Sequence, residues 1–184
     1  MQQEALGERG AQMSMRKAYM GANPYYSPFY GEYSMNCQRC VVAYEARRRG
    51  YDVMALPTYD GDILPYSVGS GNGFWMGAFR GARTTNVGSA TAKATKANIR
   101  QQMEAWGDGS RAVVRVSWKG TNNGHVFNVE NHKGKLYYVD AQTGDRVNIN
   151  QYMSAAVPSN TRLVRTDNLR LSDRARKSIS PVRK

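Results

Sequence analysis

Cysteine and histidine are both scarce in this chain, with two of each among 184 residues. The cysteines, Cys37 and Cys40, stand three positions apart and cannot form a disulfide framework. No apolar run approaches the length of a membrane span. The N-terminus lacks the basic-then-apolar order of a secretory signal. Acidic residues are the scarcer charge, 14 Asp and Glu against 26 Lys and Arg, for a net charge of +12. That balance favours acidic partners such as nucleic acid, an anionic membrane face or an acidic protein. A chain of this length can bury a core without metal or disulfides.

Residues Met1 to Met35 are polar, rich in Gly and Tyr, and carry little helical or strand period. Asn23-Pro24-Tyr25-Tyr26-Ser27-Pro28 is turn and extended chemistry. The segment is expected to be an extended arm whose Tyr25, Tyr26, Tyr30 and Tyr33 pack on the domain. A helix is expected next. Cys37, Cys40, Val41 and Tyr44 form one buried stripe, with Asn36 as N-cap and Gly50 as C-terminal stop. Arg47, Arg48 and Arg49 fall in its last turn, where they suit the helix dipole and are expected to be solvated.

Asp52 to Gly88 reads as loop and short elements anchored by Phe74, Trp75 and Phe79. A second helix is expected from about Thr91 to Trp106, with Ile99, Met103 and Trp106 as its apolar stripe and Gly107-Asp108-Gly109 as its end. Arg111 to Trp118 alternates as a strand. His125 to Glu130 and Lys135 to Asp140 read as a hairpin around Asn131 to Gly134. From Asn148 on the pattern is weak. Arg162 to Lys184 holds eight Lys and Arg against Asp167 and Asp173, the composition of a flexible solvated end. The expected division is an arm (1–35), a catalytic domain (36–150) and a basic C-terminal extension (151–184). The expected fold class is α+β, with a helix bearing Cys37 packed on an antiparallel sheet.

A thiol at a helix start, a histidine on a strand and a carboxylate one strand later is the layout of a Cys–His–acid site. With Asn131 to Gly134 as the loop, Glu130 pairs with Lys135 and His125 faces Asp140. Cross-strand partners have Cβ atoms about 4.5–5.5 Å apart, within reach of an imidazole–carboxylate bond. A register shifted by two residues would place Gln142 there instead, whose amide oxygen can also orient the ring. Backbone N–H groups at the helix start favour a thiolate at Cys37 and can hold an oxyanion. The Cys37 amide is the natural first donor. Asn36 or an arm residue could be the second.

Other readings compete. Cys37 and His125 could be merely structural. Cys37-Gln38-Arg39-Cys40 could be a redox pair, but no thioredoxin-like strand precedes it. Zinc on Cys37, Cys40, His125 and His132 conflicts with the different heights of the two histidines on the hairpin. Cys40 reads as a small buried hydrophobe and His132 as an exposed turn residue. No metal or cofactor is expected.

Asn36-Cys37-Gln38-Arg39-Cys40-Val41-Val42-Ala43-Tyr44-Glu45, with Arg48-Arg49-Gly50-Tyr51-Asp52-Val53 and Ala55, resembles the first motif of the papain-fold toxin domain of bacterial polymorphic toxins and some phage or prophage proteins. Trp106 to Ala112, with Val114 and Val116, resembles its middle. Gly124 to Glu130 and Tyr138 to Gly144 resemble its His and acid motifs. The resemblance covers roughly Asn23 to Gly144.

It implies a papain-like cysteine amidohydrolase, usually a protein-glutamine deamidase. Cys37 would be nucleophile, His125 base and Asp140 third member; Asn36 and Gln142 remain, on residue chemistry alone, the candidates for positioning the oxyanion or substrate. Ala141 stands where the family commonly has proline, so a less rigid Asp140 is expected. A host or competitor protein is the implied substrate, with an immunity protein as a further candidate partner. The chain is expected to be made in the cytoplasm and delivered into a target cell or packaged with a phage particle, as a released or delivered domain. A cysteine protease or isopeptidase is the nearest alternative. A basic phage-associated module that binds nucleic acid through its tail is another.

Overall fold

The computed structural model describes residues 6–29, 31–59, 62 and 74–182. Tyr30, part of the glycine-rich stretch before Phe74, and the terminal Arg183 and Lys184 lie outside them. The fold is α+β. Among the described residues, four helices, α1 (Met15–Gly21), α2 (Cys37–Arg48), α3 (Ala92–Trp106) and α4 (Ile149–Ala155), accompany two sheets. The small sheet pairs β1 (Val53–Ala55) with β8 (Ile179–Pro181). The large one is antiparallel throughout: β2 (Thr85–Asn86), β7 (Arg162–Arg165), β3 (Arg111–Ser117), β4 (Gly124–His132), β5 (Lys135–Asp140) and β6 (Asp145–Arg146), in that spatial order.

Both faces of the large sheet are covered. Val113, Val126, Val139 and Val164 pack with α2 on one face. Val114, Val116, Phe127, Val129 and Leu163 pack with Ile99 and Met103 of α3 and Met153 of α4 on the other. Each such side chain, taken fully out of water, stabilises the fold by about 1.5–3 kcal/mol. The α3 helix lies where its apolar stripe places it. The Thr91 hydroxyl caps it at Ala94 N (3.1 Å), and Gly107 ends it at φ 92°.

The α2 helix is more deeply set than its expected single stripe. Every residue from Gln38 to Arg47 is buried, because α1, β1, β4 and the 3-10 turn Phe74–Ala78 all pack around it. Its arginines are therefore not a solvated end. Arg47 donates to Asp52 (3.0 Å) and Val53 O (3.0 Å). Arg48 grips both oxygens of Glu130 (2.9 and 2.8 Å). Arg49 donates to Glu45 (2.8 Å) and Thr166 O (2.7 Å). Gly50 closes the helix as expected. Its φ is 100°, and a Cβ there would stand 2.2 Å from Gly10 O.

Three further expectations are corrected. Where an extended arm is expected, Ser14 caps α1, and Ala18 and Ala22 are wholly buried. Tyr25 is exposed and meets Tyr33 (ring centroids 5.5 Å). The basic C-terminal region is not a solvated tail: β7 lies between β2 and β3, and Leu163 and Val164 are fully buried. The β4–β5 hairpin turns on two residues, not four. Lys133 (φ 52°) and Gly134 (φ 82°) form the turn, and His132 pairs with Lys135. Positive φ at both central residues is the geometry that matches strand twist in a tight hairpin.

Candidate active site

Cys37 is the first residue of α2 and is half-buried. The first intrahelical bonds run from the Arg39 and Cys40 amides to Asn36 O (2.8 and 3.0 Å). The Cys37 and Gln38 N–H groups therefore precede the helical ladder. Asn36 occupies the cap position, but its side chain makes no cap bond. Its Nδ2 donates to Asn23 Oδ1 (2.9 Å) and Leu56 O (3.1 Å), and its Oδ1 accepts from the Cys40 thiol (3.3 Å). It is wholly buried. These bonds tie the start of α2 to the N-terminal segment and to Leu56.

His125 is the second residue of β4, on the face that carries Phe127 and Val129. The α2 helix lies against the opposite face, so the two layers meet around the end of the strand. His125 Nε2 lies 2.6 Å from Asp140 Oδ2. This pairing forms although the register differs from the one expected. Asn128 pairs with Val139, so Asp140 stands diagonally from His125, and the imidazole spans the offset. The alternative register is the observed one, yet Gln142 does not take the ring. Its amide N donates to Asp140 Oδ1 (3.0 Å), and its Nε2 reaches Asn36 Oδ1 (3.4 Å).

Asp140 is firmly held despite Ala141. His125, the Tyr152 hydroxyl (2.7 Å) and the Gln142 amide all bond to its carboxylate. Burial pushes its pKa up, but the His125 charge and these hydrogen bonds outweigh it and hold the carboxyl below its usual range. His125 is the converse case. Burial pushes its pKa down; Asp140 and a hydrogen bond with Cys37 more than offset this and raise it to about 10. Because Nε2 is taken by Asp140, Nδ1 is the nitrogen left for the thiol. The ring stacks near Trp118 (centroids 5.9 Å, 22° between planes), with the Tyr152 edge 6.0 Å away. Cys40 is buried as expected, and burial pushes its thiol well up.

Cys37, His125 and Asp140 are thus brought together, with Gln142 and Asn36 linked behind them. His132 is exposed on the far hairpin turn. No cluster able to hold a metal occurs among the described residues. Three neighbours escape a sequence reading. Tyr152 braces Asp140, and Trp118 covers His125. Asn23 donates to Gln142 O (2.8 Å) and Tyr33 O (2.8 Å), tying the N-terminal segment to the site. The Asn-Pro turn signal was visible at Asn23, but nothing local marked the other two.

Residues 35–145 match the family described as papain fold toxin 1, glutamine deamidase. The chain belongs to that family. The matched span carries the whole of α2, β3, β4 and β5, and with them Cys37, His125 and Asp140. Tyr152 lies beyond it. No curated protein and no solved structure matches the chain. Among the described residues, no helix is long and apolar enough to cross a membrane.

Proposed function

We propose that this papain-fold toxin deamidates a glutamine side chain in a target protein, with Cys37 as nucleophile, His125 as acid and base, and Asp140 as the orienting carboxylate. The observation that carries the reading is the imidazole placed between Asp140, at 2.6 Å, and the Cys37 thiol. An imidazolium raised to about 10 is charged at neutral pH and can accompany a thiolate. The thiolate attacks the carboxamide carbon, and a C–S bond forms. The oxygen takes the negative charge opposite the first N–H groups of α2. His125 gives its proton to the departing nitrogen, and ammonia leaves. A water then loses a proton to His125 and attacks the thioester. The C–S bond breaks, the thiol recovers, and glutamate remains.

The test is peptide mapping by mass spectrometry of a bacterial lysate treated with native protein or with Cys37→Ser. The expected result is a set of glutamine-to-glutamate conversions present only with the native chain. His125→Ala should lower the conversion rate by about 10²–10⁴-fold, the usual contribution of a positioned acid–base group. New peptide termini without such conversions would instead favour proteolysis, which uses the same thioester chemistry on a main-chain amide.

A further inference from the structure

The basic residues near the C-terminus do not form a stripe. Arg162 is tied to Asn86 (2.8 Å), and Arg165 is paired with Asp167 (3.0 Å). Arg170 and Arg176 instead line a cavity of about 460 Å³ together with Arg9, Arg49 and Arg111. These five arginines come from the N-terminal segment, the residue that follows α2, the start of β3 and the segment from Arg170 to Arg176. Asp167 and Asp173 are the carboxylates in the lining. Asp167 is already engaged by Arg165 and by the Arg111 amide (2.9 Å). Arg49 donates to Glu45 through Nε and to Thr166 O through Nη2, and Arg111 donates to Glu45 through both Nε and Nη2. Each guanidinium has five N–H donors, so those bonds leave donors over. Among the described residues, Arg170 and Arg176 are exposed and enter no ion pair.

We propose that this cavity binds a small anion carrying two or more phosphate groups. Its volume is that of a small-molecule site. Arginine forks match phosphate geometry in a way that lysines do not. Against the three carboxylates Glu45, Asp167 and Asp173, the five arginines leave the concavity with surplus positive charge, which a small polyanion would offset. A nucleic acid would call for an open basic track, which the engagement of Arg162 and Arg165 interrupts. The cavity adjoins Arg49, just beyond the C-terminal end of α2. Cys37 begins the same helix roughly 18 Å away, twelve residues at about 1.5 Å each. The site is therefore separate from the candidate active site and stands whether or not the deamidase reading does.

The experiment uses tripolyphosphate as probe on the full chain, with calorimetric titration and thermal unfolding. One saturable site and a raised Tm are expected. Arg170→Glu with Arg176→Glu should weaken binding about tenfold or more, since charge-assisted bonds are lost, and should remove the Tm rise. Arg83→Glu with Lys93→Glu makes the same charge change at other exposed positions and should leave binding intact. Arg176→Gln is the milder variant if the double reversal does not fold, and it should still weaken binding. Absence of saturable binding would overturn the proposal, as would equal weakening by both charge-reversal pairs. Tighter binding of duplex DNA than of tripolyphosphate, lost with Arg170 and Arg176, would replace it with a nucleic-acid surface.

Discussion

Asp140 takes hydrogen bonds from three separate segments, and its charge keeps the His125 imidazole protonated in a buried place. Asp140→Asn removes the charge and leaves burial less opposed, so the His125 titration should fall from about 10. NMR of the ring resonances reads this directly, and an unmoved titration would contradict it. The linkage has a definite sign. His125 is raised above its ordinary 6.5, so its contribution to stability is complete below that pH and fades as pH rises through about 10. Asp140 is lowered below 3.8, so its contribution is present above that pH and is lost on acidification. The stability gap between native protein and Asp140→Asn should be widest between these limits. At this scale the sequence was largely legible. Cys37 follows a helix-start residue, and His125 and Asp140 sit on two strands that read as a hairpin. Tyr152 and Trp118 were not legible, because no pattern in their own segments marks them as neighbours of Asp140 and His125.

Among the elements, α2 shows how burial changes the meaning of a charged run. Glu45 is wholly buried and holds Arg49, Arg111 and the Thr166 hydroxyl (3.2 Å). Glu45→Ala would leave two arginines without their shared partner and should cost about 3–5 kcal/mol, measurable by urea unfolding. A loss within about 0.5 kcal/mol would place this cluster among surface pairs. Composition could not reveal it, since Arg47-Arg48-Arg49 reads the same on a solvated helix end as on one enclosed by four neighbours. The hairpin teaches a related lesson. Asn131-His132-Lys133-Gly134 offers turn residues at several positions, and the actual turn places a lysine at positive φ, which residue preference disfavours. The His–Asp pairing survives the two-residue shift because diagonal neighbours on one sheet face remain within reach of a long side chain.

In the molecule as a whole, the ends of the chain complete the fold that the middle begins. The middle strands β3, β4 and β5 were readable. β7 is four residues, Arg-Leu-Val-Arg, too short to show a period, yet it joins β2 to β3 and supplies Leu163 and Val164 to opposite faces of the sheet. β8 likewise completes the small sheet beside β1. Removal of residues 162–184 should therefore abolish cooperative thermal unfolding and near-ultraviolet circular dichroism. A truncated chain that still unfolds cooperatively near the native Tm would restore the view of this region as a dispensable tail.

The central claim is that Cys37 and His125 act as one unit. Its most direct test is the rate of Cys37 alkylation by iodoacetamide against pH, in native protein and in His125→Ala. The account predicts that Cys37 reacts much faster than buried Cys40 and that loss of His125 slows it. Reaction at the rate of a simple exposed thiol, unchanged by His125→Ala, would contradict it.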